Sequence, residues 1–288
     1  MRVLVTGAGG QVGQAVVALA PPQATVHACV RSELDITDER SVMSCISENR
    51  PDVIVNAAAY TAVDRAESEV EIASKINAYG PHHLAVAARE TGAYLIHIST
   101  DFVFDGNSST PYHPTSPTNP LNVYGITKRV GEEAVLQELP ERSIVLRTSW
   151  VYAANGRNFM RTMLRAMADG KSVRVVADQV GTPTSAESLA RVIWALIKNA
   201  QINGVHHWTD TGVASWYDFA VAIAEEATDI GLLSSDVDVT PISTSQYPTA
   251  ARRPPYSVLD TSSLLSLGIF PTYWRTSLRR VLGEIKDA

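Results

Sequence analysis

A short strand that runs straight into a string of glycines constrains this chain more than any other feature. Arg2-Val3-Leu4-Val5-Thr6 is apolar and β-branched, and it leads directly to Gly7-Ala8-Gly9-Gly10-Gln11-Val12-Gly13, where a segment of helical period begins. Glycines at 7, 10 and 13 let the backbone approach a pyrophosphate, whose charge would meet the free N–H groups at the start of a helix. The same spacing also serves a tight strand-to-helix turn with close packing. The pattern of the next 140 or so residues decides between the two.

That pattern is alternation. Ala24 to Cys29, Asp52 to Asn56, Tyr94 to Ser99 and Ser143 to Thr148 read as further strands, several of them continuously apolar, as parallel strands covered on both faces are. Between them Gln11 to Ala20, Asp38 to Asn49, Glu69 to Thr91 and Val123 to Leu139 have helical period, with Pro21-Pro22 and Gly92 as stops. This predicts an α/β fold of the Rossmann type, a doubly wound parallel sheet. The segment from Phe104 to Leu121 is rich in Pro, Gly, Ser, Thr and Asn and is expected to be a long loop after the fourth strand. Beyond Trp150 the pattern is less regular, with helices expected near 158–168, 185–198, 216–228 and 274–285. We therefore expect a dinucleotide-binding domain at 1–150 and a smaller, mixed substrate region at 151–288, either separate from the first or interleaved with it. A chain of 288 residues that is 45% hydrophobic has enough apolar surface for both.

Dinucleotide-binding proteins that prefer NAD usually end the second strand with an acid that holds the ribose 2′-hydroxyl. Here that position reads Cys29-Val30-Arg31-Ser32. An arginine beside a serine suits a 2′-phosphate, so NADPH is expected as cofactor, with NADH as the alternative. Asp35 and Ile36 would lie beneath the adenine, and Ala58, Ala59, Tyr60 and Thr61 line the passage after the third strand. Tyr124 and Lys128 are four residues apart on the helix after the long loop and share a face. A cation next to a tyrosine lowers the phenol's pKa and fits it for proton transfer. The fourth strand ends Ser99-Thr100-Asp101, at the carboxyl edge where such sheets bind ligands, so Thr100 can share a carbonyl with Tyr124.

Together the glycine turn, the Thr-Asp strand end and the Tyr-x-x-x-Lys pair resemble the extended short-chain dehydrogenase/reductase family. Within it, the stretches at 56–64, 99–106, 181–184 and 253–260 resemble the dTDP-4-dehydrorhamnose reductases. The related dehydratases carry Glu after Thr-Asp, whereas Phe102 stands here. The resemblance implies an NADP(H)-dependent reduction of the C4 ketone of a dTDP-sugar. Its catalytic residues would be Tyr124, Lys128 and Thr100; cofactor contacts would come from Gly7, Gly10, Gln11, Val12, Gly13, Arg31 and Ser99. It further implies sugar-nucleotide contacts from Asp101, Trp150, Asn158 and Arg253. A non-catalytic regulatory subunit and a sugar-nucleotide epimerase with tightly held NAD share the fold and stand as alternatives; retention of the Tyr-Lys pair disfavours the first and Arg31 the second.

Charge and cysteine content exclude other classes. With 24 basic and 30 acidic residues the chain lacks the basic excess of a nucleic-acid binder. No apolar run approaches a membrane span, and the start of the chain reaches a glycine turn too early for a signal peptide, so a cytoplasmic location is expected. Cys29 and Cys45 are expected to be small buried hydrophobes, and no metal site is expected. Family members use Mg²⁺ at an acidic dimer contact; Gln14 and Ala15 stand where an acid would contribute, which leaves Mg²⁺ and the choice of monomer or homodimer open.

Overall fold

In a computed structural model, which describes residues 1–234 and 237–287, the expected strands appear as β1 (Arg2–Thr6), β2 (Thr25–Cys29), β3 (Val53–Asn56), β4 (Tyr94–Thr100) and β5 (Ser143–Thr148). They form one six-stranded sheet with a strand from the second half of the chain, Gly204–His207, in the order Gly204–His207, β5, β4, β3, β1, β2. Every pairing in this sheet is parallel. Chain order reverses where β1 lies between β2 and β3, and the glycine turn leaves the sheet at that switch point.

The sheet carries one apolar cluster on each face. On one side the Gln11–Ala18 and Ala186–Lys198 helices cover Val3, Val5, Val55, Ile96 and Leu146. On the other the Glu39–Asn49, Gly80–Thr91 and Val123–Glu138 helices cover Leu4, Ile54, Leu95 and Val145. The Ala186–Lys198 helix and the Gly204–His207 strand thus pack with the first half of the chain. A third cluster holds the remaining lobe, in which the Phe159–Ala168, Trp216–Asp229 and Trp274–Lys286 helices pack on Val173 and Val239 of a two-stranded ribbon.

One element departs from the expected continuous helix over 69–91. The chain forms a short α-helix at Val70–Ser74, a π-helical turn at Lys75–Tyr79 and then α-helix again at Gly80–Thr91. The wide turn seats Asn77 inward. Its Oδ1 accepts from Tyr60 N at 2.8 Å, and its Nδ2 donates to Tyr60 O at 3.0 Å and to Thr127 Oγ1 at 3.2 Å. Apolar period cannot reveal such a turn, because the extra residue is placed by these hydrogen bonds and not by burial. Gly131 then permits close helix contact, since a Cβ there would lie 2.1 Å from Asn77 O.

The long loop after β4 is fixed by its own contacts. Phe104 stacks on Tyr112 at 4.1 Å, Tyr112 N donates to Val258 O, and Asp260 N donates to Tyr112 O, each at 2.8 Å. Beneath it Arg147 of β5 donates to both oxygens of Glu132, at 2.9 and 2.6 Å, with both side chains almost fully buried. Removing one partner of such a pair strands a charge in the interior. Arg147→Met is therefore expected to destabilise the protein by about 3–5 kcal/mol in urea unfolding. Adding Glu132→Leu should recover most of that loss.

Cys29 and Cys45 are free thiols, one on β2 and one on the Glu39–Asn49 helix. Folding brings them and His27 together, with ligand atoms all within 4.8 Å of one another, a juxtaposition that sequence spacing does not show. Burial pushes the Cys29 thiol up to about 12, so it stays protonated and packs as an apolar group.

Candidate active site at the carboxyl edge of the sheet

The carboxyl ends of β1, β3, β4 and β5 open into a cavity of about 720 Å³. One end is the glycine turn. Gly7 has φ +65°, and a Cβ on it would lie 2.6 Å from Ala58 N; a Cβ on Gly13 would lie 2.3 Å from Gly7 O. These two glycines stand behind the wall and allow the turn, while Gly9, Gly10, Gln11 and Val12 face the cavity. Gly10 caps the Gln11–Ala18 helix without any side chain, which leaves its first-turn N–H groups open to an anion.

The floor carries the polar side chains that the sequence expects at the site. Ser99, Thr100 and Asp101 at the end of β4 line it with Tyr124 and Lys128, as do Ala59 and Thr61 from the β3 exit. Asn122 sets the Val123–Glu138 helix that carries Tyr124 and Lys128, since its Oδ1 accepts from Gly125 N at 2.8 Å. Gly125 is needed because a Cβ there would meet Phe102 O at 2.2 Å. Three buried oxygens facing this space, Ser99 Oγ, Asp101 Oδ2 and Thr148 Oγ1, have no hydrogen-bond partner in the protein, so the site has polar capacity for a ligand.

The electrostatics differ in one respect from the sequence expectation. Lys128 does not depress Tyr124; burial of the hydroxyl, aided by Asp101, pushes it up to about 12, against a lowering hydrogen bond from Thr100. Tyr124 is therefore a protonated phenol at neutral pH. Burial likewise brings Lys128 down to about 8 and Asp101 up to about 7, Asp101 despite hydrogen bonds from Ser257 and Thr100. Lys128 Nζ donates to Ile98 O at 2.6 Å.

Trp150 comes directly after β5 with the left-handed φ of +47°, unusual for a bulky residue. That turn lays its indole flat on Trp216, ring centres 3.5 Å apart and planes within 5°. Gly181 makes the room, as a Cβ there would lie 2.7 Å from the Trp150 ring. The two tryptophans, with Phe159, form the wall opposite the glycine turn. A second cavity of about 340 Å³ shares Phe159, Trp216 and Arg253 with the first and adds Tyr247 and Gln179. Trp216 carries no signal in the sequence that marks it for the site, because it belongs to a distant segment with no motif of its own, whereas Phe159 directly follows Asn158 and Ser257 falls within the 253–260 stretch.

The remaining expected residues take different roles. Arg253 lines both cavities but forms a two-pronged pair with Asp64, at 3.1 and 2.8 Å, which holds the Asp64 carboxyl below the usual range. Asn158 caps the Phe159–Ala168 helix, and its Nδ2 donates to Gln11 Oε1 at 2.7 Å, tying the two lobes. Arg31 is exposed at the end of β2, 3.9 Å from Asp35, whose carboxylate also takes Thr37 N and Oγ1. Glu33 accepts from Val30 N at 2.9 Å. Ile36 is buried against Gly80, and Tyr60 donates its hydroxyl to Glu69.

A parallel sheet with a glycine turn at its switch point, and a Tyr-x-x-x-Lys helix over the end of β4, define the Rossmann-type class of extended short-chain dehydrogenases/reductases. Within that class, the family model described as RmlD substrate binding domain matches residues 1–286, and the chain belongs to this family. It is 41% identical to the dTDP-4-dehydrorhamnose reductase of Escherichia coli, over 99% of this chain and 98% of that one. A dTDP-4-dehydrorhamnose reductase structure from Clostridium acetobutylicum superposes with a TM-score of 0.93 at 40% identity, covering 99% of this chain and 100% of that one. One from Bacillus anthracis, solved in complex with NADP, gives 0.92 at 37%, covering 98% and 99%. No helix among the described residues is long and apolar enough to cross a membrane.

Gly181→Ala is expected to part the Trp150–Trp216 stack. The check is near-ultraviolet circular dichroism, in which the coupled-indole signal should be lost while the far-ultraviolet spectrum is kept.

Proposed function

We propose that this protein is an NADPH-dependent reductase of the C4 ketone of dTDP-4-dehydro-L-rhamnose, yielding dTDP-L-rhamnose. The observation that carries this reading is the convergence of Thr100, Asp101, Tyr124 and Lys128 on one cavity floor, between a helix N-terminus and a tryptophan wall. The family to which the chain belongs supports the choice of sugar.

The site fits the two anionic ligands by position. The open N–H groups at Gln11 and Val12, in the first turn of the helix, would take the cofactor pyrophosphate, and Arg31 its 2′-phosphate. The carboxylates that follow β2 are turned onto the backbone, Glu33 accepting from Val30 N and Asp35 from Thr37 N. Trp150 and Trp216 offer an apolar face to the deoxysugar, and the second cavity, with Tyr247 and Arg253, would take the nucleotide end. Arg253 would reach a phosphate from a position held by Asp64.

When bound, a reduced nicotinamide supplies the hydride. Tyr124 supplies the proton to the oxygen of the former ketone. Its raised pKa suits it to the reductive direction, because it enters the reaction already protonated. The Thr100 hydroxyl, which donates to Asp101 Oδ1 at 3.1 Å, can turn onto the same oxygen. Lys128, on the same helix as Tyr124, lies with them on the floor of the cavity.

With substrate generated in place, oxidation of NADPH is expected on its addition, and absence of oxidation with both NADPH and NADH would overturn the reading. Tyr124→Phe should lower kcat by about 10³-fold or more while the NADPH Kd changes less than about twofold. Arg31→Ala should weaken NADPH by about tenfold and leave NADH nearly unchanged, measured by fluorescence titration; equal losses for both would remove Arg31 from its role.

A further inference from the structure

Behind Lys128 lies a buried polar chain that crosses three strand ends. Thr6 Oγ1 donates to Asn56 Oδ1 at 2.7 Å, Ala58 N donates to the same oxygen at 3.2 Å, Asn56 Nδ2 lies 3.0 Å from His97 Nδ1, and His97 Nε2 lies 3.3 Å from Lys128 Nζ. Thr6, Asn56, His97 and Lys128 are all essentially sealed from solvent.

Donor counting fixes the protons in this chain. The Ala58 backbone N–H can only donate, so the atom it meets on Asn56 is the oxygen, and the amide nitrogen must face His97. That nitrogen also only donates, so His97 Nδ1 must accept. A neutral imidazole then carries its one proton on Nε2, pointing at Lys128. Burial and the nearby Lys128 keep the ring neutral, holding it well below the ordinary histidine range. An ammonium at Lys128 would set N–H against N–H, whereas a neutral amine accepts from His97 with its lone pair. With Lys128 neutral, every group in the chain is satisfied.

We propose that His97 is a positioning residue that holds its proton on Nε2 and stabilises the neutral amine of Lys128, so that Lys128 acts as a proton donor in turnover and not as a fixed charge. Resting on the reductase reading, the proton that Tyr124 gives to the substrate oxygen is replaced by one from Lys128 Nζ. The ammonium N–H bond breaks, the phenol O–H bond re-forms, the amine left behind accepts from His97 Nε2–H, and water later returns the proton to Lys128. Asn56, held by Thr6 and Ala58, is what keeps the ring from turning over. The other titratable and charged groups around Lys128 are Tyr124 and Glu132 on its own helix, Arg147 of β5, which neutralises Glu132, and Asp101 beyond the end of β4.

Two measurements test this. Nitrogen-15 shifts of the His97 ring in the unmodified protein tell a protonated Nε2 from a protonated Nδ1, and need no substrate. Protonated Nε2 is expected, and a proton on Nδ1 overturns the proposal even if the enzyme is fully active. The second is the alkaline limb of kcat with saturating NADPH, where activity falls as Lys128 loses its proton. His97→Ala leaves room for water that accepts from the ammonium, so the limb should move up by about one pH unit. His97→Gln places an amide N–H where Nε2 was and should return the limb toward that of the unmodified protein. Unmoved limbs, or equal displacement in both variants with unchanged NADPH Kd, would reduce His97 to a packing role. If His97→Ala does not fold, His97→Asn, which reaches Asn56 but not Lys128, takes its place. A protein that shows no turnover but the expected tautomer would count against the substrate assignment and not against His97.

Discussion

The backbone of the glycine turn lies so close to the exit of β3 that nothing larger than hydrogen fits between them. Gly7 meets Ala58, Gly13 meets Gly7, and the helix that begins at Gln11 can therefore point its first N–H groups along the sheet edge into the cavity. This contact decides where a dinucleotide can lie, and with it which strand ends become the floor of the site. Ser99, Thr100 and Asp101 face the cavity because β4 ends within that space. Asn56 reinforces the arrangement from below, since one amide ties the end of β1, the Ala58 backbone and the His97 ring.

Much of this is legible in the sequence because it depends on period and on local turn chemistry. All five strands of the first half and the helices between them come from apolar spacing, and the glycine turn and Tyr124–Lys128 pair come from residues close together in the chain. What period cannot show is interaction across distance. The π turn at Lys75–Tyr79 exists to place Asn77 against Tyr60 and Thr127, and helical spacing over 69–91 is blind to it. Trp216 meets Trp150 from a segment more than sixty residues further along the chain. Charge is half legible. Arg253 is expected to face a phosphate, and it lines the cavity, but its pairing with Asp64 emerges only when the chain is folded.

The buried groups of the floor also show why a short motif understates a site. On spacing alone Tyr124 and Lys128 meet as phenol and cation. In the fold, burial dominates both, raising one and lowering the other, and each meets a neighbour outside the motif: Thr100 beside the tyrosine, His97 at 3.3 Å from the lysine.

The strand Gly204–His207 closes the sheet beside β5, and the Ala186–Lys198 helix covers the face that β1, β3 and β4 present. On the ribosome, then, β5 waits with a bare edge of unpaired N–H and C=O groups while more than fifty further residues are made. The nascent chain cannot finish its first layer before residue 207 has been made, well into its second half. The long sequence separation of these contacts makes closure a late and slow event, and marks the β5 edge as the place where a stalled chain would pair with the wrong partner.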